Sequence, residues 1–269
     1  MKNKNTILVG VDYSKSAENA LMYAALLASK TGSALMLMHV FDIPVLHTNS
    51  GIYFISYESI KEEHQNHLEK YKQLVLKKYP KMEVKTFVTS MSFKSEIKDL
   101  SNSKKIQYVV LGLETKSKIA RFIYGTTSLD IAGKVDCPVI IVPQKYKEHK
   151  LSKTVLAVDN AEATKSKLFT KFVKFNERFK AKPSYVHIKT EDELNLGIKP
   201  VKKGKPEIKI EELESKSFVL WINRYVRENE VDLVTVVSQS HSLIYNLFSE
   251  RNTKLIAFQS KIPVMSLHE

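Results

Sequence analysis

Residues 108–143 read YVVLGLETKSKIARFIYGTTSLDIAGKVDCPVIIVP and carry the clearest signal of the fold. The first apolar run predicts a buried strand that ends at Gly112, and the run at 138–142 predicts a second strand. Between them, the Gly-Thr-Thr-Ser sequence at 125–128 is typical of a helix start. A strand, a loop, a helix and a second strand make one crossover of a parallel α/β sheet.

Both ends of this connection have features of an anion site. A glycine directly after a buried strand lets a ligand approach the backbone, and residues 125–128 offer free N–H groups and hydroxyls at the positive end of a helix. The loop between them adds positive charge from Lys116, Lys118 and Arg121. Plain turn glycines and N-cap hydroxyls are the alternative interpretation, and these residues alone leave both open.

Composition bounds the class of protein. A chain of 269 residues is long enough for two domains of about 130 residues each. No run reaches the roughly 18 apolar residues of a membrane helix, and the N-terminus enters a strand without the pattern of a signal peptide. The single cysteine, Cys137, excludes an internal disulfide framework and is expected to be buried. We therefore expect a cytoplasmic protein.

The charge of the chain is strongly positive, with a formal net charge of +13. The lysines are spread along the chain, and the densest group, at 199–205, is predicted to be a loop. We find no basic stripe flanked by aromatic residues and no helix-turn-helix pattern. The sequence thus predicts no specific nucleic-acid partner and no membrane partner, although nucleotides would be attracted.

An internal duplication divides the chain. After the polar segment 144–152 the pattern restarts: TVLAVD at 154–159 echoes ILVGVD at 7–12, and KIPV at 261–264 echoes DCPV at 136–139. The repeat predicts domains at 1–146 and 152–269, each a doubly wound parallel sheet of five strands. About 20 polar residues replace a helix after Lys189, so the second domain is expected to lack one helix and to keep only a short strand near 208–210.

The expected elements of the first half follow from apolar periodicity and from turn residues. Strands are predicted at 6–12, 34–41, 83–89, 108–111 and 138–142, helices at 17–30, 58–78, 93–104 and 128–134, and a loop at 42–57. On the second of these helices, His64 and His67 could present two metal ligands on one face. A solvated helix face is the simpler interpretation of that pair.

The first half resembles the universal stress protein family over nearly all of its length, and the whole chain looks like a tandem member. The family pattern after the fourth strand is Gly-x2-Gly-x9-Gly-[Ser/Thr]. The residues at those four positions are Gly112, Thr115, Gly125 and Thr126. The first strand ending in Asp12, the His39-Val40 pair and the Cys-Pro-Val entry at 137–139 also match. The resemblance implies a Rossmann-like, adenine nucleotide α-hydrolase-like fold.

In the nucleotide-binding branch of that family, ATP lies across the carboxyl ends of the first and fourth strands. The resemblance implies a cofactor-binding set made of Gly10, Val11, Asp12, Val40, Leu111, Gly112, Thr115, Gly125, Thr126 and Thr127. Asp12 would lie near the ribose or a metal-bridged phosphate, and Val40 would contact the adenine. Mg²⁺ would be held through the phosphates, and neither a catalytic residue nor a protein metal site is predicted.

Two departures from the family pattern bear on function. Thr115 replaces a glycine, and a threonine costs more wherever the loop needs a positive φ. At the four motif positions of the second copy, no glycine remains: they hold Ser238, His241, Arg251 and Asn252. We therefore expect the second domain not to bind nucleotide in the manner of the family.

These observations favour a stress-response regulatory protein whose N-terminal domain binds ATP or a related adenine nucleotide. The alternative is an interaction or scaffold protein of the same family, and a slow ATPase ranks third because no general base is placed by the sequence. The fifth strands, at 139–142 and 264–267, are expected to pair within the chain as a pseudo-dimer. The sequence leaves a homodimer open.

Overall fold

The structure is a computed structural model of the chain. It describes residues 5–43, 45–48, 51–54, 56–102, 106–113, 137–147, 149–158, 167–189, 210–214, 218–237 and 261–267. The connection at 114–136 therefore lies outside the described residues, as do the segments at 159–166, 190–209 and 238–260.

The strands of the described chain fall into two groups. The first half contains β1 (Thr6–Gly10), β2 (Ala34–Val40), β3 (Val45–Thr48), β4 (Gly51–Phe54), β5 (Val84–Thr89), β6 (Ile106–Leu113) and β7 (Val139–Pro143). The second half contains β8 (Lys153–Val158), β9 (Lys182–Lys189), β10 (Ile210–Glu214), β11 (Leu233–Val237) and β12 (Val264–Leu267). All of these except β3 and β4 form one sheet in the order β10-β9-β8-β11-β12-β7-β6-β1-β2-β5.

The strand order of the first half, β7-β6-β1-β2-β5, recurs in the second half as β12-β11-β8-β9-β10. Pairing is parallel within each half, whereas β7 and β12 meet antiparallel, with Val264 opposite Ile141 and Met265 opposite Ile140. The predicted α/β fold is confirmed, and so is the predicted pairing of the two fifth strands. The pairing joins two five-stranded halves into one continuous sheet.

The helices of the described residues are α1 (Lys15–Thr31), α2 (Tyr57–Lys78), α3 (Phe93–Asn102), α4 (Lys167–Phe179) and α5 (Phe218–Asn229). No helix in this part of the chain is long and apolar enough to cross a membrane. The predicted helix at 128–134 lies outside the described residues, and so does the segment where the second half was expected to lack a helix.

Three predicted bounds are wrong. The expected loop at 42–57 contains the antiparallel hairpin of β3 and β4. Strand β6 continues to Leu113, so Gly112 lies inside the strand and pairs with Val142 of β7. Strand β10, which forms the outer edge of the sheet in the second half, spans 210–214, whereas the sequence predicts a strand near 208–210.

Helix α1 is delimited by Ser14 and Gly32. The Ser14 hydroxyl accepts the N–H of Ala17 at 3.1 Å as an N-cap. Gly32 ends the helix in a left-handed conformation with φ of 65°, which a glycine adopts without strain. Between them, α1 buries an alanine-rich and leucine-rich stripe that includes Ala20, Leu21 and Ala24.

Each face of the first half carries its own core. Alternate residues of β1 point to opposite faces, so Ile7 and Val9 pack under α1 and α2 while Leu8 packs under α3 with Phe93. The first of these cores continues into the second half through Phe172, Phe175 and other residues of α4. The ring of Tyr108 in β6 lies edge-on to that of Phe175, with 5.6 Å between ring centroids.

The segment between the halves lies along α1 and is held by buried polar groups. The Asn19 side-chain amide donates to the carbonyls of Pro143 at 2.9 Å and Tyr146 at 2.8 Å, and its oxygen accepts from His149 Nε2 at 2.7 Å. Farther along, Asp232, only 2% exposed, accepts the backbone N–H groups of Ser152 and Lys153.

Replacing Asn19 with alanine tests this anchor. Asn19→Ala removes the side-chain donor to the Tyr146 carbonyl and the acceptor of His149 Nε2, whereas the Pro143 carbonyl keeps the backbone N–H of Tyr146 at 3.0 Å. We therefore expect it to lower the free energy of unfolding by about 2 kcal/mol. Urea unfolding measures the change. Asn66→Ala, at an exposed position of α2, is the matched control and should have no measurable effect. Equal effects of the two substitutions would contradict the role given to Asn19.

Candidate functional site

The candidate site lies where the strand order of the first half reverses. Strand β1 pairs in parallel with β2 on one side and with β6 on the other. The chain proceeds outward from β1 to β2 and, in the other direction, from β6 to β7, so the reversal falls between β1 and β6. Ligands of open α/β sheets bind outside the carboxyl ends of the strands at such a point.

The structure brings six of the candidate residues to this edge. Gly10, Val11 and Asp12 end or follow β1, Val40 ends β2, and Leu111 and Gly112 lie near the end of β6. The other four, Thr115, Gly125, Thr126 and Thr127, lie outside the described residues, as do the loop cations Lys116, Lys118 and Arg121.

Asp12 uses one of its two carboxylate oxygens in hydrogen bonds to Ser14. It is half-buried, and Oδ1 accepts the Ser14 hydroxyl at 2.6 Å and the Ser14 backbone N–H at 3.1 Å. No hydrogen bond or ion pair joins Oδ2 to any residue that the structure describes. The carboxylate is thus oriented by the start of α1 and retains an acceptor that could bind a hydroxyl or a hydrated cation.

Gly112 is required by packing against α1. A Cβ placed on it would collide with the backbone carbonyl group of Ser16 and would lie 2.7 Å from the nitrogen of Ala17. The absence of a side chain therefore lets the first turn of α1 rest directly on β6. The sequence interpretation linked this glycine to a ligand, whereas the contact made in the structure is with a helix.

The remaining candidates are mostly covered by protein. A Cβ on Gly10 would lie 2.6 Å from Cδ2 of Leu111 and 3.0 Å from Cζ of Phe93. Leu111 is 2% exposed and Val11 is 1% exposed, so their side chains belong to the core. Val40 is half-buried and packs on the same core as Phe93. The side chains of Val11 and Leu111 therefore offer no surface to a ligand, whereas the side chain of Val40 is partly exposed.

The sequence model of the Universal stress protein family matches residues 4–143, just over half of the chain. The chain belongs to the universal stress protein family. A universal stress protein from Mycolicibacterium smegmatis is 30% identical over 138 residues, which are 51% of this chain and 47% of that protein. The chain thus spans about half the length of this relative.

Two solved structures of the same family name align with both halves of the chain. One, from Archaeoglobus fulgidus, covers 98% of this chain and 96% of its own with a TM-score of 0.65 and 14% identity. The other, from Pseudomonas aeruginosa, aligns with 98% of this chain and 93% of its own chain, with a TM-score of 0.54 and 12% identity. At these identities the alignments show the universal stress protein fold and nothing further.

Beside Asp12, this universal stress protein carries a cluster of aromatic rings that the sequence did not predict. Tyr13 has a φ of 63°, which is uncommon for a bulky residue, and this conformation places its ring among three histidines. The ring centroid of Tyr13 lies 4.2 Å from that of His39, 5.9 Å from His64 and 5.6 Å from His67. The Tyr13 hydroxyl donates to the backbone carbonyl of His64 at 3.0 Å, which ties the loop after β1 to α2.

The interpretation of His64 and His67 as a solvated helix face is wrong, because both are half-buried in this cluster. A metal site is not formed either: in the part of the chain that the structure describes, no three His, Cys, Asp or Glu side chains are grouped to hold a metal ion. The spacing of His64, Leu68, Tyr71 and Val75 along the inner face of α2 was the signal available in the sequence. Cys137 is buried, as predicted.

Burial lowers the pKa of two of these histidines. His39 is 8% exposed, and its Nδ1–H donates to the Val11 carbonyl at 2.7 Å. Desolvation is the main cause of its lowered pKa; the hydrogen bond and Asp12 oppose the shift, whereas His64 and His67 add to it. Desolvation also lowers the pKa of His64, and nearby Glu63 opposes this. Both rings are therefore packed as neutral groups.

Substitution of Gly112 tests the close contact between β6 and α1. In Gly112→Ala the added methyl meets backbone atoms that cannot rotate away, so we expect a loss of about 3 kcal/mol in the free energy of unfolding. Gly32→Ala is the comparison, because open space surrounds it and only its positive φ is strained, at a cost of about 1 kcal/mol. A Gly112→Ala protein as stable as wild type would show that α1 does not rest on the strand.

Acid should destabilise the protein through the histidine cluster. A histidine whose folded pKa lies below its unfolded pKa of about 6.5 stabilises the fold above that pH. This contribution is lost as the pH falls through 6.5 toward the lowered folded pKa, because the unfolded state binds more protons. Urea unfolding at several pH values across this window measures the slope. His64→Gln should make the slope shallower, and an unchanged slope would contradict the assignment.

Proposed function

We propose that this protein is a stress-response regulator that binds ATP or a related adenine nucleotide at the carboxyl edge of β1 and β6. Membership of the universal stress protein family supports the class of protein. The observation that carries the proposal concerns Oδ2 of Asp12, which has no hydrogen bond or ion pair to any described residue, while Ser14 holds the carboxylate at the reversal of strand order.

In this proposal Asp12 accepts a ribose hydroxyl or binds a Mg²⁺ ion that the phosphates also hold. The adenine contacts Val40 and the backbone at Gly10 and Leu111. Gly125, Thr126 and Thr127 bind the phosphates through backbone N–H groups and hydroxyls, with Thr115 in the intervening loop. The basic loop between Leu113 and Gly125 adds attraction for the triphosphate.

A second candidate function is a scaffold that binds no nucleotide, and a specific observation favours it. The absence of a side chain at Gly112 is fully explained by the contact with α1, and Leu111 with Phe93 covers Gly10. Two of the glycines near the site therefore serve packing whether or not a ligand binds. In a scaffold, the ten-stranded sheet and its outer surfaces would be the functional parts.

Nucleotide binding is tested by calorimetry and thermal unfolding with ATP and Mg²⁺. If ATP binds the native state alone, a concentration about 100-fold above Kd stabilises the fold by about 2.7 kcal/mol. Asp12→Ala should weaken binding, and Gly125→Asp should abolish it through clash and charge repulsion at the phosphates. Asp99→Ala, an exposed carboxylate of α3, is the matched control and should bind like wild type.

The scaffold function predicts the opposite set of results. Neither heat of binding nor a thermal shift would be seen at millimolar ATP, and both the Asp12 and Gly125 variants would behave like the Asp99 control. Sustained phosphate release that is lost in Asp12→Ala would instead support a slow ATPase.

A further inference from the structure

A cavity lies away from the reversal of strand order between β1 and β6. It has a volume of about 490 Å³ and is lined by Ala28, Ser29, Gly32 and Ser33 at the end of α1 and by residues 78–83 between α2 and β5. It lies where β2 and β5 begin, whereas Asp12 follows the carboxyl end of β1. Its volume falls within the roughly 300–1,000 Å³ of small-molecule sites.

The walls of this cavity are mainly carbon. The lining includes Ala28, which is buried, and the side chains of Tyr79, Pro80 and Met82. The helix ends beside them have little hydrogen-bonding capacity left, because the N–H groups of Gly32 and Ser33 both donate to the Ala28 carbonyl and that of Tyr79 donates to Val75. A ligand in this cavity would therefore gain chiefly by burying apolar surface.

Two lysines line this cavity, and an arginine contacts one of its lining residues. Lys78 and Lys81 line the cavity, and Arg178 of α4 donates from Nη2 to the hydroxyl of Ser33 at 3.4 Å. Among the residues that the structure describes, none of the three forms an ion pair; Lys78 has a contact with the Tyr79 ring at 5.8 Å. The acidic lining residue, Glu83, is paired with Lys85 at 3.3 Å.

The helix ends explain only part of this charge. The negative ends of the dipoles of α1 and α2 favour a lysine at position 78. Lys81 belongs to no helix, however, and Arg178 comes from a helix of the other half. Lys78 also acts on the connecting segment: burial lowers the pKa of His149, and Lys78 and Lys147 lower it further.

We infer that this cavity binds a small organic anion with an apolar body, such as the carboxylate of a medium-length acyl chain. The chain lies against Tyr79 and Met82, and the carboxylate lies between Lys81 and Arg178. Because Arg178 belongs to α4 and the walls belong to α1 and the α2–β5 turn, the ligand links the two halves of the sheet. This site is independent of the proposed nucleotide function.

Titration of the full chain with decanoate tests this inference, with decylamine as a probe of equal chain length and opposite charge. Calorimetry measures the binding. We expect one decanoate to bind per chain in a saturable manner, and decylamine to bind at least about fivefold more weakly. Lys81→Glu should weaken decanoate binding by about fivefold or more, and Ser29→Trp should reduce it further by filling the cavity.

Lys70→Glu is the matched control, since it makes the same charge change at an exposed position of α2 outside the cavity. It should bind decanoate like wild type, and all variants should keep the melting curve of the folded protein. The inference is overturned if decanoate does not saturate, if decylamine binds as well, or if Lys81→Glu and Ser29→Trp bind like the Lys70 control. ATP binding can succeed or fail without changing any of these outcomes.

Discussion

The antiparallel pairing of β7 with β12 is the contact on which the rest of the molecule depends. It turns two five-stranded parallel halves into one sheet with a continuous core on the face that carries α1, α2 and α4. Parallel strands need cover on both faces, and α4 supplies part of that cover for the first half through Phe175 and Phe179 against Tyr108. The segment that connects the halves also lies along α1, where Asn19 binds the carbonyls of Pro143 and Tyr146.

The same constraint shapes the candidate site. Because the halves join at β7, the reversal of strand order between β1 and β6 lies at the centre of the first half. There, the first turn of α1 packs on Gly112, and Ser14 at the start of this helix orients Asp12. The loop after β1 then meets α2 through Tyr13 and the histidines. Packing thus fixes the position of the Asp12 carboxylate and of the backbone around it. A site held in this way can bind a ligand without rearrangement.

The sequence predicted the sheet well because buried parallel strands are short apolar runs bounded by turn residues. It missed the β3–β4 hairpin although Asn-Ser-Gly separates two β-prone runs there, and it missed the inward side of α2 although His64, His67 and Tyr71 share the spacing of Leu68 and Val75. The contact of Gly112 with Ser16 and the αL conformation of Tyr13 could not be predicted. Both depend on tertiary packing between distant segments, which periodicity does not encode.

The central claim is that an adenine nucleotide binds at the reversal of strand order in the first half. Its most direct test is an electron-density map of crystals grown with ATP and Mg²⁺. We predict density for the nucleotide at the carboxyl edge of β1 and β6, with a ribose hydroxyl or the metal ion within bonding distance of Asp12 Oδ2. A map with that edge closed by protein side chains, or with nucleotide bound elsewhere on the chain, would contradict the account.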